Sequence, residues 1–162
     1  MIDGSTVAKI NAIRGMLIVF AQSGYRMQFS DPDSYHCFMK TPVALESLGE
    51  SVLLALNASK HLTVEEAAYR RASETEWESW VSLMLSETNI ASSQKLFQKM
   101  ASCSVSHKDG VIIFSPSIKR RGAAWEGRGE NFNISISASS EFRSIGQAAI
   151  EGLSLCIPNV IA

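Results

Sequence analysis

The chain has 162 residues, of which 46% are hydrophobic, and a formal net charge of −1. That suits one domain, residues 1–162, with enough apolar content for a core, and offers no global field for nucleic acid or an anionic membrane. Three cysteines, Cys37, Cys103 and Cys156, have no paired spacing, so a disulfide framework is not expected and a reducing compartment fits.

In chain order, Met1-Ile2-Asp3-Gly4 opens without a charged region leading into an apolar leader, and residues 1–14 read as weakly helical or extended. Met16–Ala21 and Tyr25–Phe29 read as two strands around Gln22-Ser23-Gly24, a hairpin signal. The apolar run Gly15–Ala21 is far short of the roughly 20 residues that span a bilayer, so a buried strand, a soluble cytoplasmic chain and no membrane partner are expected. Ser30–Ser34 is a polar turn before a strand at Tyr35–Lys40. A helix follows over Ser47–Ser59, with Ser47 and Glu50 at capping-box spacing and an earlier start possible at Thr41-Pro42. Thr63-Val64-Glu65-Glu66 and Ser73-Glu74-Thr75-Glu76 are two further capping boxes, each placing carboxylates at a helix start. Trp77, Trp80, Val81, Met84 and Leu85 then recur at helical spacing, which fits core packing, or an aromatic anchor for a partner.

Ser92–Met100 suits a short helix leading into a strand. Ala101–His107 alternates polar and apolar residues, Asp109-Gly110 supplies hairpin chemistry, and Val111–Phe114 is a strongly apolar strand that Ser115-Pro116 ends. The segment from Lys119 to Gly129 is a basic, Gly-rich loop. Phe132–Ser137 alternates again, and a last helix over Ser144–Cys156 is stopped by Ile157-Pro158, with Ser144 and Gln147 at capping-box spacing and an earlier start possible at Ser139 or Ser140.

The two outer helices share a pattern. Leu48 aligns with Ile145, Gly49 with Gly146, Leu53 with Ile150, Leu56 with Leu153, and Ser59 with Cys156. A strand precedes each, so one strand–loop–helix unit is used twice. The glycines are expected to permit close packing of each helix on a strand. The order of elements predicts an α+β fold: a central, mostly antiparallel sheet with helices packed on it.

No catalytic or metal-ligating motif stands out: there is no Cys-x-x-Cys, His-Glu-x-x-His, Walker loop or nucleophile elbow. Neither a catalytic residue, a metal nor a cofactor is therefore expected. Charge is uneven, with net −3 over residues 1–80 and net +2 over residues 81–162. Two alternatives remain from the residues themselves. One is a small metal-dependent hydrolase using His36, Cys103 and His107. The other is a nucleic-acid-binding module using the basic loop around Trp125.

The segments Lys95–Met100, Cys103-Ser104-Val105, Asp109–Ile113, Ala124–Gly127 and Ser144–Cys156, together with Leu48–Ser59, resemble the immunity proteins of bacterial contact-dependent growth inhibition (CDI) systems, the CdiI family. The resemblance covers most of residues 35–157. It implies a non-enzymatic cytoplasmic protein that binds and neutralises the C-terminal toxin domain of a large effector, often a nuclease. It also implies a central antiparallel sheet, which in some members is extended by a toxin hairpin. The family pattern assigns no contact residues. Charge and loop placement nominate the acidic stretch Glu65, Glu66, Glu74, Glu76 and Glu78 with the turn acids Asp31 and Asp33, and then the loop cations Lys119, Arg120, Arg121 and Arg128.

Overall fold

The computed structural model describes residues 4–161, apart from the Ala72 side chain. The opening Met1-Ile2-Asp3 lies outside the described residues. Eight strands form one curled sheet in the order β3-β2-β1-β5-β6-β7, with β4 beside β3 on the outer edge of β2 and β8 beside β7 on that of β6. All strand ladders are antiparallel. The strands are β1 Thr6–Ile13, β2 Met16–Gly24, β3 Gln28–Ser30, β4 His36–Lys40, β5 Ala101–Lys108, β6 Val111–Lys119, β7 Trp125–Gly127 and β8 Ile134–Ser137. The helices are α1 Leu45–Ala58, α2 Val64–Ala72, α3 Glu74–Thr88, α4 Ser93–Gln98 and α5 Phe142–Ser154. The expected α+β class with a mostly antiparallel sheet is the fold observed.

The repeated unit is larger than one strand and one helix. β1 and β2 recur as β5 and β6 at a shift of 95 positions (Thr6 to Ala101, Met16 to Val111), and α1 recurs as α5 at 97 (Leu45 to Phe142). β3 and β4 correspond to β7 and β8, each pairing the same end of its long strand. The chain is thus a four-strand-and-helix unit used twice, with α2–α4 inserted between the copies. The copies meet about a pseudo-two-fold axis. β1 pairs β5 with Lys9 opposite Ser104, its own counterpart. On α1 and α5, Glu46 likewise pairs with its counterpart Arg143 at 3.0 Å.

The buried positions obey the same relation. α1 buries Leu48, Gly49, Ser51, Val52, Ala55 and Leu56, and α5 buries the six counterparts Ile145, Gly146, Ala148, Ala149, Gly152 and Leu153. Of these, Leu48, Val52, Ala55, Leu56, Ile145, Ala148, Ala149 and Leu153 form one core with Ala8, Ile10, Leu17 and Val19 and their counterparts Cys103, Val105, Ile112 and Phe114. One pair differs in a compensating way. Where α1 has Ala55, α5 has Gly152, and a Cβ there would lie 3.0 Å from Phe114 and 3.3 Å from Cys103. The second copy has larger strand residues and a correspondingly smaller helix residue, as close packing demands.

The glycines do not serve the packing expected of them. A Cβ on Gly49 would overlap the backbone carbonyl of Phe142, and one on Gly146 the carbonyl of Leu45. Helix therefore meets helix, not strand, and the two contacts are symmetry mates. This also corrects the helix starts. α1 begins at Leu45 after Ala44 and α5 at Phe142 after Glu141, neither with a side-chain cap, so Ser47 and Ser144 lie inside the helices. The first turn of each is fixed by the glycine of the other. By contrast, Thr63 and Ser73 do cap α2 and α3, accepting from the backbone N–H of Glu66 and Glu76.

The insertion covers the other face of the sheet. Trp80 and Met84 of α3 and Leu96 and Phe97 of α4 pack with Met100 on Ile13, Met16, Ile18 and Phe20. β2 is therefore buried along its whole length, which explains its unbroken apolar run. β1, at the sheet centre, takes the extended conformation, one of the two expected of residues 1–14. Two expectations about strands are corrected here. β2 continues through Gly24, so the turn to β3 falls at residues 25–27; a Cβ on Gly24 would overlap the Met27 carbonyl. β6 continues through Ser115-Pro116 to Lys119, since Pro116 sits near the end of the β5 ladder and its carbonyl accepts from the Arg128 backbone N–H.

Gly49→Ala is the sharpest test of this crossing. Helix propensity alone favours alanine by up to about 1 kcal/mol. Overpacking against the Phe142 backbone costs about 1–3 kcal/mol or more, so denaturant unfolding is expected to show net destabilisation, with Gly146→Ala alike. Gly127→Ala, where a Cβ meets open space, is expected to be near neutral.

Candidate interaction surface

The turn between β3 and β4 is anchored by one buried acid. The Asp31 carboxylate accepts from the hydroxyls of Ser23 and Ser34 (the latter at 2.7 Å) and from Arg70 Nη2 at 3.0 Å. Burial pushes its pKa up, but the three hydrogen bonds and the Arg70 charge outweigh burial and hold it below the usual carboxylate value. Asp31 is 1% exposed, so it is placed as a tether and not on the surface as a docking acid. It ties α2 to the sheet. The described side chains of α2 include only one buried apolar group, Ala67, and the helix depends on this ion pair and the Thr63 cap.

Arg70 extends the chain of charges outward. Its Nη1 lies 3.3 Å from Glu76 Oε2, and Glu76 is 40% exposed. Beside this pair opens a groove of about 410 Å³ between the β3–β4 turn and α3. Phe29, Trp77, Trp80 and Leu83 supply its apolar walls, and Asp33 and His36 stand on the turn side. Trp80 is buried at the base, within 5.1 Å of Phe20 and 5.7 Å of His36 between ring centroids. Trp77 is 44% exposed and stacks on Phe97 at 5.8 Å. The two tryptophans thus divide the roles that their spacing left open: one is core, the other surface.

The nominated acids fall into two groups. Asp33 and Glu76 line the groove above Asp31. Glu65, Glu66, Glu74 and Glu78 are exposed on α2 and α3 and do not line it. Glu65 and Glu66 open α2, and Glu74 opens α3, where negative charge complements the helix dipole. Sequence reasoning missed Arg70 and Phe29. The signal for Arg70 exists only in three dimensions, as the cation that a buried aspartate needs.

The basic loop is largely committed to itself. Lys119 donates to the carbonyls of Gly122 and Arg120 and lies 4.7 Å over the Trp125 ring. Arg120 pairs with Glu126 at 2.7 Å. Arg128 donates to the Leu155 carbonyl at 2.7 Å and lies over the Phe132 ring. Arg121 stands exposed. The residues of the hydrolase alternative are scattered: His36 is on edge strand β4, Cys103 is buried in the α1–α5 core, and His107 lies on β5. Among the described residues, no three His, Cys, Asp or Glu side chains are grouped so as to hold a metal ion. Among them, too, no helix is long and apolar enough to cross a membrane.

The family model described as "CdiI: CDI immunity protein" matches residues 6–156. No curated protein matches. Among solved structures, a "Protein of Unknown Function NMB0488 from Neisseria meningitidis" superposes with a TM-score of 0.85 at 23% identity, covering 95% of this chain and 96% of that one. A chain of the "CdiA-CT/CdiI toxin and immunity complex from Yersinia pseudotuberculosis" superposes with a TM-score of 0.80 at 22% identity, covering 94% and 97%. At these identities the two structures share the fold.

The Asp31 tether has a pH signature. A carboxylate whose folded pKa is depressed stabilises the fold above its unfolded pKa of about 3.9, and that contribution is lost as pH falls through the lower folded value. Asp31→Asn is therefore expected to cost about 2 kcal/mol at pH 7, the scale of a hydrogen-bonded charge. The gap between wild type and variant, measured by urea unfolding, is expected to shrink below about pH 4. A gap that stays constant with pH assigns the loss to shape and not to charge.

Proposed function

Because the chain belongs to the CDI immunity protein family, as its match over residues 6–156 establishes, we propose that it binds and neutralises the C-terminal toxin domain of a CDI effector in the cytoplasm of the cell that makes both. The family match carries this reading. The role is stoichiometric binding and not turnover, so it calls for no catalytic residue, metal or cofactor.

A nuclease is the toxin class that best suits the surface. An enzyme that acts on a polyphosphate backbone presents a basic face, and an inhibitor meets it best with carboxylates. Glu65, Glu66, Glu74 and Glu78 are exposed on adjacent helices, and Asp33 and Glu76 border the nearby groove. Complementary charge of this kind accelerates encounter and weakens with salt. The loop cations are the lesser contribution, since Lys119, Arg120 and Arg128 already have partners within the fold. The outer edges of β4 and β8 offer backbone groups to an added strand, which is a second route to contact.

Two experiments test this. Co-expression with the toxin domain encoded directly upstream is expected to restore growth and yield a co-purifying complex; a toxin that still kills while this chain accumulates folded contradicts the pairing. Reversing Glu74 and Glu78 to lysine is expected to reduce the association rate about tenfold at low salt, with little change at high salt. An unchanged rate at low salt removes this face from the interface.

A further inference from the structure

We infer that the groove between the β3–β4 turn and α3 receives an arginine or lysine side chain of the toxin domain. The inference rests on the immunity reading and deepens it by naming the chemistry of one contact.

The charges around the groove do not balance. Asp31, Asp33 and Glu76 bring three carboxylates and Arg70 one guanidinium, a net −2 from these four side chains. The partners of Arg70 are also unequal. Asp31 is held by Ser23 and Ser34 as well and is sealed from water, whereas Glu76 touches Arg70 through one oxygen and is 40% exposed. Glu76 can thus turn to an incoming cation while Arg70 keeps Asp31, and the buried charge is never left alone. Asp33 faces the groove from the opposite wall, exposed.

The walls suit the rest of such a side chain. Trp77 presents a face that is nearly half exposed, and Phe29 and Leu83 extend the apolar lining. An arginine or lysine carries an apolar stem that packs on such surfaces, and its charge is attracted to an aromatic face. A phosphate or nucleotide would meet excess negative charge here. Aromatic anchors beside charged groups are also where binding energy concentrates in interfaces.

The place in the fold agrees. The pseudo-two-fold relates nearly all of the sheet and the α1–α5 pair, so those elements are common to both halves. The groove lies where the unpaired insertion meets the first copy, with α2 and α3 on one side. At the corresponding turn, between β7 and β8, the short 3-10 turn Glu130–Phe132 and Arg128, laid over the Phe132 ring, stand instead.

The test uses the full chain and the toxin domain encoded directly upstream. Wild-type affinity is measured first by titration; failure to bind at all overturns the immunity reading itself. Given binding, the double variant Asp33→Asn with Glu76→Gln is expected to weaken affinity at least tenfold, and Trp77→Ala similarly, with thermal unfolding confirming that each variant folds. Glu87→Gln, on α3 away from the groove, is the control for loss of one surface charge. Each surface arginine and lysine of the toxin is then changed to alanine and combined with the double variant. One toxin residue is expected to lose its own effect in that background, which identifies the occupant. Undiminished affinity in the groove variants overturns the inference while leaving the immunity reading intact. Weakened affinity with no coupling to any toxin cation also overturns it, since the occupant would then be of another chemistry.

Discussion

The contact on which the rest of the molecule depends is the crossing of α1 and α5 at Gly49 and Gly146. Each glycine admits the first turn of the opposite helix, and a single methyl group at either would overlap backbone. Backbone cannot rotate away as a side chain can, so the crossing has little tolerance. It sets where both helices start, which six residues of each are buried, and how the two copies are joined. The exposed Glu46–Arg143 pair lies on the same axis and adds little by comparison, because ion pairs in water gain little net energy.

The halves are alike in framework and unlike in what surrounds it. The α1–α5 face is built twice from matching positions, whereas the opposite face is covered by the single insertion α2–α4. The insertion is held in two ways. α3 and α4 are packed through Trp80, Met84, Leu96 and Phe97, and α2 hangs largely on the Asp31–Arg70 ion pair. Exposed acids and the exposed rings of Tyr69 and Trp77 lie on α2 and the first turns of α3. Division of labour follows: a repeated core gives rigidity, and the segment that occurs once provides a distinctive surface.

The sequence revealed this unevenly. The helix patterns were legible because Leu48/Ile145, Gly49/Gly146 and Leu56/Leu153 keep a constant shift. The duplicated hairpins were not, although Gly15 followed by Met-Leu-Ile-Val matches Gly110 followed by Val-Ile-Ile-Phe. The shift there is 95 and not 97, because the second copy has two more residues between its hairpin and its helix. The caps at Thr63 and Ser73 were readable because they are local hydrogen bonds, whereas the starts of α1 and α5 were not, because tertiary contact sets them. Among the nominated acids, local sequence cannot separate Asp31 from Asp33: one is enclosed by Ser23, Ser34 and Arg70, and the other points to solvent.

The central claim is that a duplicated scaffold presents a binding surface on its unduplicated insertion. Amide hydrogen exchange of the chain, alone and saturated with the toxin domain encoded directly upstream, tests this most directly. The account predicts new protection in residues 63–80 and in the turn at 31–36, with α1 and α5 equally protected in both states. New protection confined to the outer surfaces of α1 and α5 would contradict it.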